Sequence, residues 1–432
     1  MRVGVSYPIL FAVVLGAVGC NGPEAKFVTS EKTQQLIPEA QRPVEKFLKE
    51  NFGTPHQLVA WQKLPFDYGK AEATVEGHEK DGWKLLNGRN LYMRHCLHCH
   101  GVSGDGNGPT ANYLNPRPRD YRLGIFKFTS TAGGIKARAD DLLLTLVNGI
   151  PGTSMPSFAL LKKDELDALT EYVRWLSTRG EFEKLLTTEL SADYSKKAVA
   201  DRINNKEEPA KRSDILAALD LLIKTPTDFP ETIKSTADSL ALSWTAAEDP
   251  SNQIIPAHPR QLPANDPETI NRGRKLYMSN DLGCFKCHGL AGKGDGVSSV
   301  DYWPIPKSNP QVNFPDRGLH DDWGQKVKPR NLTLGQYRGG RRPVDIYRRV
   351  VAGIKGTQMA GFYLALNNNK DEDGKEVKNT DGSALNDSQI AALRDRKIWD
   401  VVNYVLDIPY QDQTVVPLMP KAAPAVPQTA AN

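Results

Sequence analysis

Apolar residues recur at helical spacing along most of this chain. Leu85, Gly88 and Leu91 share one face, as do Ile270, Gly273 and Leu276. The second run begins at Asp266-Pro267, a helix N-cap followed by proline in the first turn. Leu166, Leu169, Tyr172, Val173 and Leu176 make a third apolar face, and Trp399, Val402, Tyr404 and Val405 begin a fourth. Between them, Ile215, Leu216, Leu219, Leu222 and Ile223 predict one more helix.

These runs belong to a repeat. Gly88-Arg89 with Leu91-Tyr92-Met93 matches Gly273-Arg274 with Leu276-Tyr277-Met278. Each leads into Cys-x-x-Cys-His-Gly: Cys96, Cys99 and His100, then Cys284, Cys287 and His288. Further on, Pro118-Arg119 matches Pro329-Arg330, and the stretch from Gly149 to Met155 matches that from Gly353 to Met359. Phe158 and Phe362 follow each methionine at the same interval.

The repeated Cys-x-x-Cys-His carries chemistry. Two thiols one helical turn apart add to the two vinyl groups of a porphyrin, and the adjoining imidazole reaches the iron, so the motif predicts two covalently bound haem c groups. A tetrahedral zinc site would need the two cysteine pairs to meet across 284 − 99 = 185 residues and would leave both histidines unexplained. A redox dithiol would need a βαβ setting that the flanks lack.

An opening helix, Cys-x-x-Cys-His, a glycine loop, a methionine on a later loop and a closing helix together resemble the class I c-type cytochromes. The resemblance covers residues 81–182 and 266–410 and implies an all-α fold of two such domains joined by a helical insert. It makes His100 and His288 the proximal ligands and Met155 and Met359 the distal ones. Met93 and Met278 read as helix packing, and Met419 lies in a Pro/Ala-rich tail. Pro109 is the candidate backbone acceptor for the His100 ring, with Val297 at the matching place in the second repeat. The second route to methionine is longer, 359 − 288 = 71 residues against 155 − 100 = 55. Arg119 and Arg330 are candidate donors to haem propionates; the competing reading is a surface arginine in a Pro-rich loop.

Residues 1–19 carry one charge, Arg2, then an apolar run from Ile9 to Leu15 and the small residues Gly16, Ala17 and Gly19, a secretory signal. The ending Ala17-Val18-Gly19-Cys20 resembles a bacterial lipobox, with Ala17 where leucine is usual, and implies acylation of Cys20. The expected order is signal (1–19), lipid-anchored arm (20–80), first domain (81–182), helical insert and linker (183–265), second domain (266–410) and tail (411–432). The apolar run of the signal is too short for an ordinary membrane-spanning helix.

With 25% charged and 39% hydrophobic residues, the composition is that of a globular protein, and the formal charge of +4 falls to +3 without Arg2. Near balance gives no global support for a nucleic-acid partner. Arg338, Arg341, Arg342, Arg348 and Arg349 form a local cluster, read as a solvated helix face and loop. Asn369, Asp371, Asp373 and Gly374 follow the start of a calcium loop, but Thr380 stands where glutamate is required, so a solvated insertion is the default. The expected function is electron relay between redox proteins of a respiratory chain, on the periplasmic side of a membrane. A di-haem enzyme of the peroxidase or thiosulfate-oxidising kind is the alternative.

Overall fold

The computed structural model describes residues 25–411 except 73, 77, 261, 262, 264 and 300–318. Cys20, the signal and most of the tail lie outside these residues. Among those described, the chain is all-α, with isolated bridges and no strand. Helices α1 (Pro38–Phe52), α2 (Trp83–His95), α3 (Ala139–Asn148) and α4 (Lys163–Tyr194) build the arm and first lobe. Helices α5 (Arg212–Lys224) and α6 (Phe229–Glu248) form the insert. The second lobe has α7 (Pro267–Met278), α8 (Pro343–Ala352) and α9 (Asp387–Asp407). The α7 start is as the sequence predicts: the Asp266 carboxylate accepts the Thr269 N–H at 3.0 Å, with Pro267 in the first turn.

In each lobe the opening and closing helices cross at a glycine. A Cβ on Gly88 would run into the carbonyl of Ala168, and one on Gly273 into that of Asp400. The missing side chain therefore sets how closely α2 approaches α4 and α7 approaches α9. Beside each crossing a tyrosine pair fills the gap, Tyr92 with Tyr172 and Tyr277 with Tyr404, both with ring centroids 5.2 Å apart.

The lobes differ in what surrounds them. Helix α4 runs on past the first lobe, and its extension buries Phe182, Leu186 and Leu190 against the arm's Val44, Phe47 and Phe52. Ile215 and Leu219 of α5 and Trp244 of α6 join this same core. The second lobe has its own core around Tyr277, Ile398 and Tyr404.

Its acidic insertion is pinned by cations of the protein. Lys275 bonds Asp373 at 3.0 Å and Arg396 bonds Glu372 at 3.1 Å. The buried Lys397 ammonium donates to Asn368 Oδ1 and to the Lys370 carbonyl, both at 3.0 Å. Asp371 turns inward to accept the N–H groups of Asp373 and Lys375. The loop that sequence reads as a solvated insertion is thus tied to α7 and α9.

The lobes meet through matching residues. Counting ten on from Pro118 and from Pro329 reaches Phe128 and Gly339, and these two pack on each other, as matching residues near a local twofold axis do. Nearby, Lys127 bonds Asp321 at 3.0 Å and the Ile254 N–H bonds the Ser130 carbonyl at 2.7 Å. The arginine cluster also lies here. Arg338, Arg341, Arg342, Arg348 and Arg349 line a cavity of about 410 Å³ with Phe128 and Asp141. Arg341 and Arg342 are exposed, as the solvated-face reading expects, while Arg338, Arg348 and Arg349 are partly buried and depart from it. Arg342 pairs with Asp345 at 2.7 Å, and Arg348 donates to the Ile254 carbonyl at 3.1 Å.

Candidate functional site

His100 and His288 end one-turn helices, Leu97–His100 and Cys284–His288, that follow the opening helix of each lobe. Gly101 and Gly289, at φ 74° and 79°, then turn the chain into the glycine loop, in a backbone region that a side chain would strain. The loop folds back on the motif by the same bonds twice. Gly106 N–H reaches the His100 carbonyl at 3.0 Å and Gly108 N–H that of Cys99 at 3.1 Å. In the second lobe Gly294 bonds His288 at 2.8 Å and Gly296 bonds Cys287 at 3.1 Å. Tyr92 and Tyr277 lock the corner, each hydroxyl donating at 2.8 Å to the carbonyl of Gly101 or Gly289.

Both imidazoles are oriented by a backbone carbonyl, and it is not that of Pro109. His100 Nδ1 lies 3.1 Å from the Arg119 oxygen and His288 Nδ1 lies 3.1 Å from the Arg330 oxygen. A carbonyl only accepts, so Nδ1 carries the proton and Nε2 keeps a lone pair for a metal. The Pro109 expectation fails because the chain passes the ring later, at the repeated Pro-Arg. Burial pushes His100 down to about 4 and His288 below its ordinary value, which favours the neutral, ligating form. The Tyr121 ring stacks on His100 at 4.6 Å and 21°; Leu332 holds the matching place in the second lobe.

None of the four described cysteines is in a disulfide. Burial raises the thiols of Cys96 and Cys284 to about 12. No group of three or more His, Cys, Asp or Glu gathers as a metal cluster among the described residues, so the cysteine pairs do not meet as a zinc site would need.

The methionine loops repeat bond for bond. Ile150 N–H reaches the Met155 carbonyl at 3.1 Å and Ile354 N–H that of Met359 at 2.9 Å. Met155 and Met359 each donate their N–H to a threonine hydroxyl, Thr153 or Thr357, at 3.2 Å. Phe158 and Phe362 tie each loop to α3 or α8, both at 2.9 Å. The longer route in the second lobe, and Ala360 after Met359 where Pro156 follows Met155, leave this loop geometry unchanged.

The two guanidinium groups singled out by sequence are held at the lobe interface. Arg119 lies over the Trp323 ring at 3.5 Å and 3.7 Å from Asp321. Arg330 donates to Gln336 Oε1 at 2.6 Å and to its carbonyl at 2.8 Å. Arg338, which sequence placed in a solvated cluster, lines the cavity between the lobes, and its buried Nε has no partner. Paired thiols and a neutral imidazole with Nε2 free for a metal together fit a covalently held haem.

Residues 85–177 match the family model described as cytochrome c. The first lobe is a cytochrome c domain, and covalently bound haem c follows from it. No protein of curated function matches the chain. Among solved structures, a chain of the reducing HAO-like protein complex of Kuenenia stuttgartiensis aligns at 21% identity and a TM-score of 0.44, over 74% of this chain and 95% of that one.

Proposed function

We propose that this chain is a di-haem cytochrome c that relays electrons between redox proteins of a respiratory chain, held by lipid at Cys20 on the periplasmic side of a membrane. The observation that carries the second haem is the repetition of the first lobe's geometry. His288 meets the Arg330 carbonyl at the same 3.1 Å as His100 meets that of Arg119, and Met359 sits in a loop bonded like that of Met155. Cys96 and Cys99 would attach one haem and Cys284 and Cys287 the other. His100 with Met155, and His288 with Met359, would supply the axial ligands. When bound, the haem supplies one-electron chemistry, and a histidine–methionine pair raises its potential. The protein's part is to keep each imidazole neutral and aimed, to hold each thioether on a bonded loop and to pack both sites against water.

Spectroelectrochemical titration of the holoprotein, with assignment of both ligand sets, tests this reading. Two low-spin haems, slow to bind carbon monoxide and with negligible peroxide turnover, are expected. A native high-spin haem with rapid peroxide or thiosulfate turnover would overturn it in favour of an enzyme.

A further inference from the structure

The two interface arginines have a second task. Arg119 gives its carbonyl to His100 in its own lobe while its guanidinium stacks on Trp323 of the other. Trp323 donates its indole N–H to the Asp120 carbonyl at 3.1 Å and presses its six-membered ring against Gly356, where a Cβ would collide with it. The neighbouring Asp322 N–H bonds the Gly356 carbonyl at 3.0 Å. Gly356 lies between Ile354 and Met359, inside the methionine loop of the second lobe.

The opposite side mirrors this. Arg330 gives its carbonyl to His288, and its guanidinium covers Gly152, where an added Cβ would fall 2.9 Å from its terminal nitrogen. Gly152 lies in the methionine loop of the first lobe at the position matching Gly356. The flanking contacts exchange as well. Ile125 borders Gly356, and Gln336, the matching residue of the other lobe, borders Gly152. Reciprocal contact between matching residues is the mark of a twofold interface.

We propose that Arg119, through Trp323, and Arg330 are crossed positioning residues: each orients the imidazole of its own lobe by its backbone and braces the methionine loop of the other by its side chain. The two candidate haem sites are thereby linked: Arg330 of the second lobe covers the first lobe's loop directly, and Arg119 of the first lobe backs the Trp323 that presses on the second lobe's loop. Glycine at 152 and 356 permits the close approach, and their φ of 73° and 71° lies where side chains are rarely tolerated. The inference rests on reading these as haem-ligand loops, but the bracing itself can be measured without that reading.

Substitution of the side chains spares the backbone carbonyls, so the two tasks separate. The test is amide hydrogen exchange of the full-length holoprotein at Ile150 and Thr153 in one loop and at Ile354 and Thr357 in the other. Arg330→Ala should speed exchange about tenfold at Ile150 and Thr153 and leave Ile354 and Thr357 as they were. Arg119→Ala and Trp323→Ala should do the reverse, with Trp323→Phe as the milder variant should either fail to fold. For the two arginine variants, acceleration confined to the substituted lobe, equal acceleration in both loops, or no change would overturn the proposal; for Trp323→Ala, which sits in the same lobe as the loop it touches, an unchanged rate at Ile354 and Thr357 would do so. The thioether-to-iron absorption band, followed in the same variants, should weaken in the crossed lobe. Its absence from the native protein would remove the ligand reading while exchange still decides the brace.

Discussion

The Nδ1 of His288 meets the carbonyl oxygen of Arg330 at 3.1 Å, the distance that separates His100 from Arg119. In both lobes the residue that fixes the ring is the arginine after a proline, acting through its main chain. The Nδ1-protonated tautomer is therefore built by backbone, and side-chain substitution at either arginine leaves it in place.

Covalent attachment is the first expectation. Denatured protein should retain two haems, and Cys96→Ala or Cys284→Ala should each weaken retention of one while the other stays, as mass spectrometry of the unfolded chain will show. Zinc in place of covalent haem in correctly exported protein would end the reading.

Methionine ligation makes a sharper claim. Met155→Ala should open the first iron to carbon monoxide and lower its midpoint potential, with Met359→Ala doing the same at the second, read by titration and by ligand binding to the reduced protein. An unchanged potential and spectrum in either variant would show that its methionine only packs.

The helix crossings predict a stability cost. Alanine ordinarily favours a helix over glycine, but at Gly88 and Gly273 its methyl would meet a backbone carbonyl of the facing helix. Gly88→Ala and Gly273→Ala should each destabilise by about 1–3 kcal/mol in denaturant unfolding. A gain in stability at either position would refute the close approach.

Lys397 should leave a mark on the pH dependence. Burial, the largest cause, pushes its ammonium down to about 8 from an ordinary value of 10.5. Between those values the unfolded chain binds the proton more fully, so this residue makes stability rise as pH increases from about 8 towards 10.5. Lys397→Met should flatten that rise in denaturant midpoints taken at several pH values. A variant with the same slope as the native protein would show that Lys397 titrates normally.

Anchoring is tested by Cys20→Ser, which should release the protein from membranes or block its processing. Normal processing with retention after a high-salt wash would exclude the lipid.

Much of this was legible in sequence because the chain states it twice. Leu85, Gly88 and Leu91 with Ile270, Gly273 and Leu276 gave the opening helices, and the repeat supplied both candidate methionines without any knowledge of their surroundings. The long-range partners were hidden. Nothing near His100 marks Arg119 as its acceptor, since a carbonyl is common to every residue and only the path of the chain chooses one. Trp323 could not be found either, because its contacts with Arg119 and Gly356 depend on how two lobes dock. The arginine cluster misled in part for the same reason: Arg341 and Arg342 face solvent, but Arg338, Arg348 and Arg349 are partly covered where the lobes meet.

Helix α4 ties the arm to the first lobe so firmly that little chain is left for slack. Phe27 already lies under the Arg179 guanidinium at 4.2 Å, and Cys20 precedes it by only 27 − 20 = 7 residues, a reach of at most about 25 Å. A lipid on Cys20 would hold the first lobe against the bilayer like a moored hull, confining its redox partners to those that move in the same shallow layer.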